Sequence, residues 1–195
     1  ILPETAAALA SNRSGALRSM LLEGLRGTDA RVANDEPVSP AFLFALLLWP
    51  AYCRALIGLQ AGGMNAEEAQ RRAADRVTLH QLATVALPRR FSLPMQEIWL
   101  LQSRFSSRQR KRVMRLPAHP RFRAAYDFLL LRLTASSEHA EDVAFWREAQ
   151  TQSGDELSAT LASTASTGSH EADDEAPAKR RRRRRRPASA SPTAE

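Results

Sequence analysis

The sequence predicts an all-α fold, a helical bundle followed by a disordered basic tail. Three observations carry that expectation. From about residue 3 to 150, apolar residues recur at three- and four-residue spacing and no run alternates as a strand would. The longest apolar stretch, AFLFALLLW at 41–49, ends against Pro50 and Arg54, far short of the roughly 20 residues needed to cross a bilayer. Beyond Gln152 the composition turns to Ser, Thr, Ala and Gly, then EADDEAPAK, then an unbroken arginine run, so too little apolar surface is available to offset chain entropy.

The elements come in order. Leu17, Met20, Leu21 and Leu25 share a helical face, with Gly27 placed to end that helix as a C-cap glycine. Ser39 and Pro40 mark the next start, where proline's missing N–H costs nothing, and a kink is expected near Pro50. Phe42, Leu46, Trp49 and Leu56 are the expected centre of this body. After Gly62-Gly63, Asn65 and Glu68 have capping-box spacing, and Ala69, Ala73, Val77 and Leu82 should face inward.

A helix after Ser92 carries Ile98, Leu101 and Phe105. Another runs from Ser106 or Ser107 to just before Pro117, and the next opens at His119-Pro120 and reaches about Leu133. A last helix, about Glu138 to Gln150, places Val143 and Trp146 three apart. These divide into a helical body at 1–90, a basic helical domain at 91–152 and a disordered tail at 153–195. Ile1 followed by Leu2-Pro3-Glu4-Thr5 is no signal peptide, and the chain is expected to be a piece of a longer polypeptide.

Charge is concentrated in one zone. Residues 1–150 hold 20 Lys and Arg against 14 Asp and Glu, and eight of the 20 lie between 104 and 123. No acidic residue occurs between Glu97 and Asp127. A near-neutral body with one basic zone is an electrostatic footprint for a polyanion. With 107–116 helical, Arg108, Arg112 and Arg115 form a stripe with Lys111 beside it, while Val113 and Leu116 point the other way. Arg121 and Arg123 at the next helix start oppose the helix dipole, which suits a phosphate cradle. The candidate nucleic-acid contacts are therefore Arg104, Arg108, Lys111, Arg112, Arg115, Arg121 and Arg123, with Arg180, Arg181 and Arg182 from the tail run as a non-selective supplement. Tyr126 and Trp99 are secondary candidates for base stacking, with core packing the stronger expectation.

Catalytic groups are not evident. The acidic pairs Asp35-Glu36, Glu67-Glu68 and Glu141-Asp142 and the tail run Asp173-Asp174-Glu175 sit in a turn, at helix starts or in the tail, not on rigid facing elements as two-metal chemistry demands. His80, His119, His139 and His170 lack metal-binding spacing, and Gly62-Gly63 has no P-loop lysine after it. The single cysteine, Cys53, allows no disulfide within the chain and suits a reducing cytoplasm.

GTDARVANDEPVSPAFLFALLLWP (27–50), LPRRFSLPMQEIWLLQSRF (87–105) and RQRKRVMRLPAHPRFRAAYDFLLLR (108–132) resemble the C-terminal half of bacterial poly(A) polymerases, class II nucleotidyltransferases related to the CCA-adding enzymes. The resemblance covers roughly 15–150 and implies an RNA-binding region of a polynucleotide adenylyltransferase that adds poly(A) to RNA 3′ ends, promoting RNA processing and decay. It implies a separate head domain supplying ATP and Mg²⁺ sites, with no catalytic residue, metal or cofactor in this fragment. The implied partners are a single-stranded RNA 3′ end, held with weak sequence preference, and RNA-decay proteins. A tRNA CCA-adding enzyme and a non-enzymatic helical adaptor are the alternatives.

Overall fold

The computed structural model describes residues 2–11, 15–83 and 85–152, together with 156, 157, 159 and 161. The described residues form α1 (Pro3–Ser11), α2 (Ala16–Ala33), α3 (Pro40–Leu47), α4 (Trp49–Ala61), α5 (Ala66–Leu82), α6 (Arg89–Gln102), α7 (Arg110–Arg115), α8 (Phe122–Ala135) and α9 (Ala140–Ala149), with 3-10 turns at Leu116–Ala118 and Ser137–His139 and no strand. The all-α expectation holds. Among these residues no single helix is long and apolar enough to cross a membrane. The most apolar pair, α3 and α4, is bent by 54° next to Pro50, as proline's lost hydrogen bond requires.

Local signals decide most boundaries. Asn65 caps α5, accepting the Glu68 N–H at 2.9 Å while its amide donates to the Glu68 carboxylate at 3.3 Å. Gly27 does not end α2. The site is open, with nothing near the position a Cβ would take, so the helix runs on to Ala33 and leaves at Asn34, where Asp35 takes a left-handed φ of 57°. The glycine that matters is Gly24. A Cβ there would lie 2.4 Å from Leu46 Cδ2, so α2 meets α3 as closely as a bare backbone permits. Leu82 is 48% exposed, at the fraying end of α5, although Ala69, Ala73 and Val77 are buried as expected.

Two apolar clusters share α6 and α8. In the first, Trp99 stacks on Tyr52 at 4.8 Å and Tyr52 on Trp49 at 5.2 Å, while Phe128 meets Trp49 and Phe42 edge-on. The Trp99 indole N–H donates to the Ala45 carbonyl at 3.0 Å. Leu46 is fully buried in this cluster, with Phe42, Trp49 and Leu56 packed at its margin. In the second, Phe105, Phe122, Tyr126 and Trp146 surround Leu101, Val113, Leu116 and Leu129. Met95, Ile98 and Trp99 of α6 belong to the first cluster and Leu101 to the second, so a boundary at residue 90 does not part the two cores.

At the junction, buried Gln102 donates to the Ile98 and Ala125 carbonyls at 3.0 Å each. Its carbonyl oxygen accepts from Arg132, whose guanidinium lies over Trp49. Burial lowers the Arg132 pKa from its ordinary value, and Cys53, Tyr52, Asp142 and Glu138 act in the opposite sense. Leu157 and Leu161 are helical and buried against the second cluster. Packing therefore extends past the expected limit near 153: two leucines four apart make an apolar stripe that the Ser- and Ala-rich surroundings conceal. The remainder of the expected disordered tail, including Arg180, Arg181 and Arg182, lies outside the described residues.

Candidate nucleic-acid interface

The seven basic residues expected at 104–123 separate into two groups. Arg104, Lys111, Arg112 and Arg115 line one groove of about 620 Å³ between α5, the end of α6 and α7. No Asp or Glu among the described residues pairs with any of the four. α7 is only six residues long, but Val113 is fully buried and Leu116 nearly so, which pins its apolar side to the second cluster and turns Lys111, Arg112 and Arg115 outward. Lys111 and Arg115 stand at i, i+4, a like-charge spacing that costs a helix about 0.2–0.5 kcal/mol.

The other three are held by carboxylates. Helical spacing places Arg108 on the stripe with Arg112 and Arg115, but α7 begins only at Arg110 and Arg108 lies in the preceding loop. It donates to Asp142 at 2.7 Å and to the Phe105 carbonyl at 2.7 Å, and covers the Phe145 ring at 4.2 Å. Asp142 is only 14% exposed and also accepts from the Ser106 hydroxyl at 2.8 Å. Arg121 donates to Glu97 at 3.2 Å, and Arg123 pairs with Asp127 one turn on at 3.1 Å. The expected cradle at the start of α8 is thus already occupied by side chains of the same molecule. Glu97 and Asp127 are the residues that bound the acid-free stretch, and Asp142 arrives from α9.

Tyr126 is 6% and Trp99 1% exposed, so both are core residues. Cys53 is a free thiol in the first cluster's margin, its pKa pushed up to about 11 by burial, which makes it a poor nucleophile at neutral pH. Among the described residues no group of three or more His, Cys, Asp or Glu side chains converges on a point that could hold a metal ion. The groove, dominated by cations, does not suit Mg²⁺ either.

The opposite wall of the groove comes from the start of α5, which sequence reasoning marks as a capped helix start and not as part of a binding surface. Ala66, Glu67, Gln70 and Arg71 line it. Positions 66 and 70, like 67 and 71, are one turn apart, away from the buried Ala69–Ala73–Val77 face. Glu67 and Arg71 pair with each other. Ser103, at the end of α6, donates to the Gln70 side-chain oxygen at 3.0 Å and lies 3.3 Å from the Leu100 carbonyl, which ties α5 to α6, and Leu100 and Leu116 add apolar surface to the groove. Gln109 and His119 complete the rim. His119 Nδ1 accepts the Arg121 backbone N–H at 3.1 Å. Polar residues spaced along α5 carry no signal in sequence that separates a groove wall from an ordinary solvated face.

Residues 62–187 match the family model for the polymerase A arginine-rich C-terminus. The chain is 37% identical over 142 residues to poly(A) polymerase I of Escherichia coli O6:H1, covering 71% of this chain and 30% of that protein. It is 38% identical over 122 residues to the Salmonella typhi poly(A) polymerase I, covering 62% and 26%. With the Haemophilus influenzae poly(A) polymerase I it shares 33% over 139 residues, covering 70% and 31%. The chain thus spans less than a third of the length of these curated relatives.

Proposed function

The chain belongs to the polymerase A arginine-rich C-terminal family, and on that premise we propose that it is the RNA-holding part of a polynucleotide adenylyltransferase. The observation that carries this reading is the convergence of Arg104, Lys111, Arg112 and Arg115 on one groove without carboxylate partners among the described residues. Four unneutralised cations around a concave surface are stable only in water or against an anion. A phosphodiester backbone supplies such anions at regular spacing, and displaced counterions favour the complex. Phosphate contacts position a strand without reading it, so sequence preference is weak.

In this reading RNA lies along the α7 side of the groove with its 3′ end directed toward a head domain that this chain does not contain. ATP and Mg²⁺ act there, not on the residues described above. Arg180, Arg181 and Arg182 add sequence-independent attraction, and the work is done in the cytoplasm, alongside RNA-decay proteins. The test is an extension assay on the longer polypeptide that carries this region, supplied with ATP and Mg²⁺. Unstructured RNA should gain a 3′ adenylate tail, while the 195-residue chain alone binds that RNA without lengthening it. Addition confined to tRNA ends, or no binding of unstructured RNA by the chain, contradicts the proposal.

A further inference from the structure

The groove is electrically lopsided. Lys111, Arg112 and Arg115 stand on the α7 wall without carboxylate partners among the described residues. On the α5 wall the only charges lining the groove are Glu67 and Arg71, and they cancel. What remains there is an amide, Gln70, its oxygen held by Ser103 at 3.0 Å, beside Ala66 and next to Leu100 and Leu116, with Arg104 following Ser103 at the end of α6. A phosphate is drawn to the first wall. It gains nothing from the second, where Glu67 and Arg71 neutralise each other.

We infer that the groove seats one unpaired nucleotide in a fixed orientation, with its phosphate toward Lys111, Arg112 and Arg115 and its base toward Gln70, beside Leu100 and Leu116. This deepens the proposed RNA-holding role and rests on it. A volume of about 620 Å³ is that of a small-ligand site, which suits a nucleotide or two and not a double helix. A base has an apolar face to lay on leucine and edge acceptors to receive amide hydrogens. Ser103 lies 3.0 Å from the Gln70 oxygen, and the Gln70 NH₂ has no hydrogen-bond partner among the described residues, so it can donate to a base in the groove. All four bases carry an acceptor on an exposed edge when unpaired, so Gln70 detects that a base is present and unpaired more than which base it is. Pairing would close that edge, and a duplex would keep the base out of reach.

The experiment compares affinities of the 195-residue chain for three strands of one length: an unstructured RNA, the same ribose-phosphate strand with its bases removed, and a blunt RNA duplex. The arginine run attracts the phosphates of both single strands but also stacks on bases, so the groove's share of the ratio is read from its change in Gln70→Ala. The base-bearing strand should bind at least roughly tenfold more tightly than the abasic one. Gln70→Ala should shrink that ratio roughly three- to tenfold while leaving abasic binding unchanged. A ratio near one, a ratio that Gln70→Ala leaves intact, or a duplex that binds as tightly as the single strand overturns the seat. Joint replacement of Lys111, Arg112 and Arg115 by Gln distinguishes failure of the seat from failure of the interface. If it weakens both single strands while their ratio is near one, only the base seat fails; if it weakens neither, the RNA interface itself fails.

Discussion

Arg112 and Arg108 are four residues apart in the same basic run, yet the molecule uses them in opposite ways. Arg112, with Arg104, Lys111 and Arg115, faces a groove and has no carboxylate partner among the described residues. Arg108, with Arg121 and Arg123, is spent on Asp142, Glu97 and Asp127. The difference lies in where the acids come from. Glu97 and Asp127 both meet the far end of the run, at Arg121 and Arg123, and Asp142 meets Arg108 because α9 folds back across the α6–α7 turn, while Arg104 meets none of them. The middle of the run is beyond all three. Arg108 ties the segment before α7 to α9, Arg121 ties the start of α8 to α6 and Arg123 pairs within α8, while the groove set has no carboxylate partner among the described residues.

That division can be broken experimentally. The largest effect on stability within the paired set is expected at Arg108. Arg108→Ala removes a charge-assisted bond to a mostly buried carboxylate, a bond to the Phe105 carbonyl and the cover over Phe145, and should cost about 1–2 kcal/mol in chemical denaturation. Its RNA affinity should change less than that of Arg112→Ala. Trp146→Phe sharpens the same point from α9. It deletes the 2.8 Å bond to the Phe105 carbonyl, which still accepts from Arg108, and should cost about 1 kcal/mol. Arg121→Gln and Arg123→Gln break exposed pairs and should each change stability by less than about 1 kcal/mol.

The smallest effect is a chemical one. Burial raises the Cys53 pKa to about 11, so little of the reactive thiolate exists at neutral pH. Its alkylation should be slow at pH 7 and rise roughly tenfold per pH unit toward that value. A plateau reached below about pH 9, close to the ordinary thiol value, would show that Cys53 is not buried as described.

Much of the fold was legible because its signals are local. The Asn65–Glu68 cap, the Ser39-Pro40 start and the break at Pro50 each depend on residues within one turn, and the buried positions Leu46, Ile98 and Trp146 agree with helical spacing, whereas Phe105, expected on the helix of Ile98, is buried in the turn after α6. The failures depend on distant partners. Gly27 looks like a stop but meets no competing structure, so the helix continues to Asn34. Leu157 and Leu161 look like part of a polar tail until the second cluster offers them a face.

The site was legible as a charge zone and no further. The acid-free interval from 98 to 126 is visible in the sequence, but which cations find carboxylates depends on how α6, α8 and α9 return to the run. The α5 wall, more than 30 residues before Arg104, was marked only as a capped helix start. Gln70 gains meaning only from Ser103 beside it.

The salt dependence of RNA binding tests most directly the proposal that the groove cations, and not the carboxylate-paired ones, contact phosphates. Two variants are compared, one with Arg104, Lys111, Arg112 and Arg115 all changed to Gln, the other with Arg108, Arg121 and Arg123 changed to Gln, both checked for retained helicity. If the groove set contacts phosphates, the first variant should lower the steepness of log affinity against log salt by roughly 3 for a single strand, and the second by less than about 1. Equal losses, or a larger loss from the second variant, would contradict it.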